Sequence, residues 1–163
     1  MVSVIAAIPR LRTSLAAGLL LTALVVAPRP LSAQADGCAL VKAADVAVLL
    51  GGTPAATPGA GCVWKLPGSN RKLMVITYKN ARVPGEMAYT GARKGAERDA
   101  DSKVLDENGI GDKAFSITPS FGAAFVMLKG GRMLQLQFWT GAQGTAKDRD
   151  ALRVVARKAI AAF

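Results

Sequence analysis

The chain has 163 residues, with 21 Lys and Arg against 11 Asp and Glu and no histidine, for a formal net charge of +10. The lack of histidine removes the commonest general base, the Ser-His and Cys-His nucleophile pairs, and any Cys/His zinc site. No stretch beyond residue 35 is apolar for long enough to span a bilayer, and the length that remains suits one domain with one core.

Residues 1–35 read as a secretory signal peptide. Arg10 and Arg12 precede an apolar run from Leu15 to Ala27, and the segment ends in Ala33-Gln34-Ala35, the small-x-small pattern cut by signal peptidase. Cleavage is expected before Asp36, leaving residues 36–163 as a single exported α+β domain. The apolar run stops at Arg29-Pro30, short of the roughly 20 residues an anchor needs. Asp36 also spoils a lipobox before Cys38, so membrane tethering through that cysteine is not expected, and the destination is periplasmic or extracellular. Removing Arg10, Arg12 and Arg29 leaves eighteen basic against eleven acidic residues, a net charge of +7.

An even pair of cysteines in an exported chain predicts a Cys38–Cys62 disulfide. Val46, Leu49 and Leu50 recur at helical spacing over Ala43 to Leu50, and Gly51-Gly52 supplies the stop. Thr53 to Gly61 reads as a loop from its prolines and glycines. Cys62 to Leu66 and Lys72 to Tyr78 follow as a hairpin about the Pro67-Gly68-Ser69-Asn70 turn. The second of these strands is apolar on both alternating sets, which predicts cover on both faces.

Pro84 opens a second helix to about Arg98, in which Gly91, Ala92, Gly95 and Ala96 would let the helix lie close on a sheet or else mark a helix that frays. Strands are expected around Ser102 to Leu105 and Ala114 to Ile117. A final hairpin pairs Ala123 to Leu128 with Met133 to Trp139 about Gly130-Gly131, since adjacent glycines supply the positive φ of a tight turn. Leu134, Leu136 and Phe138 face one way, and Gln135 and Gln137 the other. Leu152, Val155, Ala156, Ala159, Ile160 and Phe163 form one helical stripe, with Thr145 as N-cap. The order predicts an α+β fold: a mainly antiparallel sheet of about five to six strands with helices packed against it.

Cys38-Ala39-Leu40-Val41 before a helix ending in Leu49-Leu50-Gly51, Cys62-Val63-Trp64 on a strand, and Gly109-Ile110-Gly111-Asp112-Lys113-Ala114-Phe115 before a hairpin and terminal helix together resemble a group of small exported bacterial domains. Many of those are lipoproteins, and the resemblance implies a PsbP-like α/β/α sandwich acting as a binding or accessory module.

Candidate chemistry is sparse. Gly109 to Ala114 matches GxGxxA, but a strand follows where a dinucleotide fingerprint needs a helix. Asp106, Glu107 and Asp112 lack the register of a calcium loop and read as solvated carboxylates. Of Ser69, Ser102, Ser116 and Ser120, only Ser69 stands in an SxxK string (Ser69-Asn70-Arg71-Lys72), in a turn, and none lies in GxSxG, which leaves a histidine-free serine/lysine hydrolase as the alternative to a non-enzymatic module. No metal or cofactor is expected. Trp64, Phe138 and Trp139 read as core aromatics on strands.

Between Asp45 and Glu86 there is no acidic residue, yet Lys65, Arg71, Lys72, Lys79 and Arg82 fall there. Lys65, Arg71 and Lys72 flank the turn, and this hairpin tip is the candidate site for an anionic envelope polymer or lipid headgroup. Nucleic acid is not an expected partner, because the basic residues are not interleaved with aromatics.

Overall fold

Short-range signals account for most of the elements. A computed structural model of the chain describes residues 37–78 and 83–163. The expected signal segment, with Ala33, Ala35 and Asp36, lies outside the described residues, as do Lys79 and Arg82. Helix α1 (Ala43–Leu50) buries Val46, Leu49 and Leu50 and stops at Gly51, whose φ of 79° lets its N–H donate to the Ala47 carbonyl. Strands β2 (Cys62–Lys65) and β3 (Lys72–Tyr78) pair antiparallel as expected.

The segment expected as a loop contains a further strand, β1 (Ala55–Pro58), paired antiparallel with β2 and exposed at all four residues. Pro58 is tolerated in it because only an edge strand leaves backbone groups unpaired on one side. Helix α2 (Gly85–Arg98) follows with Pro84 as N-cap, then a two-residue strand β4 (Leu105–Asp106), later than the expected Ser102 start. Strands β5 (Lys113–Ile117), β6 (Gly122–Lys129) and β7 (Arg132–Trp139) complete the sheet. Lys129 pairs with Arg132 across Gly130 (φ 55°) and Gly131 (φ 72°), a two-residue turn that needs left-handed backbone at both positions. Helix α3 (Ala146–Ala162) begins with a capping box between Thr145 and Asp148.

All strand pairs are antiparallel, in the order β1-β2-β3-β7-β6-β5-β4. The sheet thus has seven strands rather than five to six, the excess coming from β1, at one edge of the sheet, which the prolines concealed. Helices lie on both faces. On one, Leu73, Val75, Phe125, Met127, Leu134, Leu136 and Phe138 meet α1 and the full predicted stripe of α3 in the larger core. On the other, Phe115, Val126, Leu128 and Met133 meet Tyr89 of α2, with Ala88, Ala92 and Ala96 alongside.

Of the four small residues expected to bring α2 to the sheet, Ala92 and Ala96 do so and Gly91 and Gly95 do not. Both are exposed, with nothing within 4 Å of where a side chain would start, whereas a Cβ on Gly85 would strike the Gly131 carbonyl. The alanines at 88, 92 and 96 supply the close packing.

Cys38 and Cys62 form the expected disulfide, tying the segment before α1 to the start of β2 across a sequence separation of 24. On the chain-entropy model such a link stabilises the fold by about 3 kcal/mol. It belongs to an oxidising, non-cytoplasmic environment. No helix among the described residues is long and apolar enough to cross a membrane.

Candidate functional site

Residues directly opposite one another in an antiparallel ladder point to the same face, so the register defines what each face carries. On the α2 side, Lys65 lies opposite Lys72 and Val63 opposite Met74. Lys72 lies opposite Trp139, Met74 opposite Gln137, Ile76 opposite Gln135, and Tyr78 opposite Met133. Helix α2 packs on β6 and β7. None of Val63, Met74 and Ile76 joins either buried cluster, and all three are half-buried. The expectation that β3 is covered on both faces therefore fails: its Leu73 and Val75 are fully buried, while its other side forms an open half-face.

Two of the three candidate cations meet there. Lys65 is exposed and directly opposite Lys72. The Lys72 ammonium stands 4.2 Å from the centroid of the Trp139 ring, and Phe121 stacks on the same indole at 4.3 Å and 17°. The indole Nε1 of Trp139 is shielded from solvent and has no hydrogen-bond partner. Neither lysine forms an ion pair with a carboxylate among the described residues. Like charges set directly opposite on a sheet repel, so this is an unrelieved positive pair at one end of an otherwise uncharged surface.

Arg71 goes the other way. Its Nη2 donates to the Leu49 carbonyl at 2.9 Å, and its guanidinium lies 5.4 Å from the centroid of the Phe138 ring, on the larger-core side. It therefore satisfies an orphan carbonyl at the C-terminus of α1. Three positive charges are not gathered at the hairpin tip; the two lysines share one face and the arginine serves the other.

The other candidate chemistry resolves into structure. Gly109 to Gly111 is a turn leading into β5, a strand, so the GxGxxA string offers no helix N-terminus to a pyrophosphate. A groove of about 360 Å³ beside it is lined by Tyr89, Arg93, Asp106, Asn108, Asp112 and Lys113. Its charges are matched: Arg93 pairs with Glu97 and Asp106, and Lys113 with Glu86. Burial pushes the Tyr89 hydroxyl pKa up against the lowering effect of Arg93.

The carboxylates read as solvated are all engaged. Asp106 accepts from Arg93, and Asp112 accepts from the Gly130 N–H at 2.7 Å. Glu107, with its side chain only 7% exposed, takes two hydrogen bonds from Arg153, each 2.8 Å, and one from Ser116 at 2.7 Å. Burial works to raise the Glu107 pKa, but the Arg153 and Ser116 hydrogen bonds and the charges of Arg153 and Arg149 outweigh it, and the group titrates below its ordinary range. No group of three or more Cys, Asp or Glu among the described residues is placed to hold a metal.

The hydroxyls of Ser102 and Ser116 donate to Asp99 and Glu107, and Ser69 accepts from the Arg71 N–H. None of the serines at 69, 102, 116 and 120 is hydrogen-bonded to a lysine. Of the three aromatics read as core, Trp64 and Phe138 are buried in the larger cluster, while Trp139 is half-buried on the open face. Its stacking partner Phe121 is a turn residue and carries no periodic signal in the sequence. No family model matches the chain, and no curated protein or solved structure is similar enough to it to count as a match.

Proposed function

We propose that this is an exported, non-enzymatic binding module of the cell envelope, kin in architecture to the PsbP-like sandwiches, and that its open half-face takes an anionic ligand between Lys65 and Lys72. The observation that carries this reading is the directly opposed lysine pair without a carboxylate, set on a half-buried surface beside Trp139. An anion between the two ammonium groups would turn a repulsive pair into two charge-assisted hydrogen bonds, stronger than neutral ones.

Two experiments test it. In an exporting host the secreted form should start at Asp36 with no acyl group, which intact mass reads directly; a diacylglycerol-sized increment on Cys38 would show tethering instead. Titration with glycerol 3-phosphate should show binding that weakens as salt rises, because exposed charges are screened within about 8 Å at physiological ionic strength. The Lys65→Gln, Lys72→Gln double variant should lose that binding, and an Arg71→Gln variant should keep it. Equal binding by the double variant refutes the site.

A further inference from the structure

Among the described residues, Lys65 and Lys72 are the only charged ones that the ladder register places on the open half of this face. From them, β3 runs through Met74 and Ile76 to Tyr78, with Val63 beside Met74 on β2 and Gln137 and Gln135 along β7. The surface is therefore cationic at the hairpin end and apolar along the strand. Lys72 to Tyr78 spans six residue rises, about 20 Å, the reach of an extended acyl chain.

We propose that the open half-face binds one anionic amphiphile, an acyl chain bearing a phosphate headgroup, with the phosphate between Lys65 and Lys72 and the chain along Met74, Ile76 and Tyr78. This rests on the anion-binding reading above and adds the apolar half of the ligand. An extended acidic polymer would need cations repeated along its path, and beyond the lysine pair this face offers Met, Ile, Val and Gln. Docking on a bilayer would need exposed apolar side chains in one plane. The large exposed ones on helices, Val48 at 86%, Met87 at 64% and Val154 at 57%, instead lie on α1, α2 and α3 respectively. A single amphiphile laid along β3 matches both the charge and its gradient.

The test is calorimetric titration of the purified protein with 1-lauroyl lysophosphatidylglycerol kept below its micelle concentration, beside glycerol 3-phosphate and dextran sulfate. Each buried methylene favours binding, so the lysolipid should bind at least about tenfold more tightly than glycerol 3-phosphate. Met74→Gln with Ile76→Gln should bring the lysolipid down to the level of glycerol 3-phosphate and leave the latter's affinity unchanged. Should that double variant lose its fold, Ile76→Thr, which keeps a β-branched strand residue, should weaken the lysolipid alone. Lysolipid binding no tighter than glycerol 3-phosphate, or weaker than dextran sulfate, overturns the amphiphile while the anion site stands. Binding of none of the three overturns both.

Discussion

Phe115, Val126, Leu128 and Met133 on β5–β7 share a sheet face with Val63, Met74 and Ile76 on β2–β3, yet the first set is sealed beneath α2 and the second stays half-buried. Both halves use apolar side chains at alternate positions, so hydrophobicity does not distinguish them. What differs is the company. Around the covered half the polar groups are matched, with Arg93 paired to Glu97 and Asp106 and Lys113 paired to Glu86. On the open half Lys65 and Lys72 have no acidic partner among the described residues, and Gln135 and Gln137 alternate with the core residues of β7. Uncompensated charge beside half-buried apolar surface is what the proposed ligand-binding reading rests on, whereas the charges of the other half are matched within the fold.

The largest contrast should appear on truncation. Phe115→Ala opens a cavity beneath α2 and should cost about 3–5 kcal/mol, whereas Ile76→Ala, already in contact with solvent, should cost no more than about 1 kcal/mol. Urea midpoints measure both, and equal losses would mean that the two halves are equally sealed.

Next in size is the Arg153–Glu107 pair on the opposite face. Removing the arginine strands a carboxylate that is only 7% exposed, so Arg153→Ala should cost about 2–4 kcal/mol, reduced from the fully buried case because Arg153 is itself 28% exposed. The pH dependence carries a definite sign. The Glu107 carboxyl titrates below the ordinary glutamate value of 4.5 in the fold. Its contribution is therefore complete above about pH 4.5 and is lost as pH falls through the folded value, where the native state must take up a proton. Wild-type stability should drop through this acid range, and the Arg153→Ala variant should drop less. A parallel decline in both would remove the pair from the account.

Breaking the disulfide by Cys38→Ala with Cys62→Ala should cost about 3 kcal/mol if the chain-entropy account holds. The smallest effect is expected on the open half, where Lys65→Gln with Lys72→Gln should change stability by only about 0.5 kcal/mol, in the stabilising direction, because repulsion is relieved. A marked loss of stability would make the lysines structural rather than ligand-facing.

How much of this was legible before the structure depended on whether a signal was local. The Gly130-Gly131 hairpin, the Cys38–Cys62 pair and the α3 stripe with its Thr145–Asp148 cap each follow from residues near in sequence or forced by chemistry, and each is present. Strand β1 was missed because Pro54 and Pro58 exclude a central strand and say nothing against an edge. Open versus covered could not be read from β3, because Met74 and Ile76 are apolar in either case and only the placement of α2 decides. Arg71 is more instructive. Neighbouring strand positions point to opposite faces, so its separation from Lys72 was implicit in the spacing, whereas its use as a cap for α1 needed the tertiary fold. Trp139 could be set against Lys72 only once β7 was known to pair with β3.

The most direct test of the central claim is to map backbone and indole N–H chemical shifts of the labelled protein during titration with glycerol 3-phosphate. A contiguous set of shifts is expected at Lys65, Lys72, Met74 and the Trp139 indole, diminishing as salt is raised. Shifts gathered instead about Arg93 and Lys113 in the groove by β5, or scattered over the basic residues of α3, would contradict it.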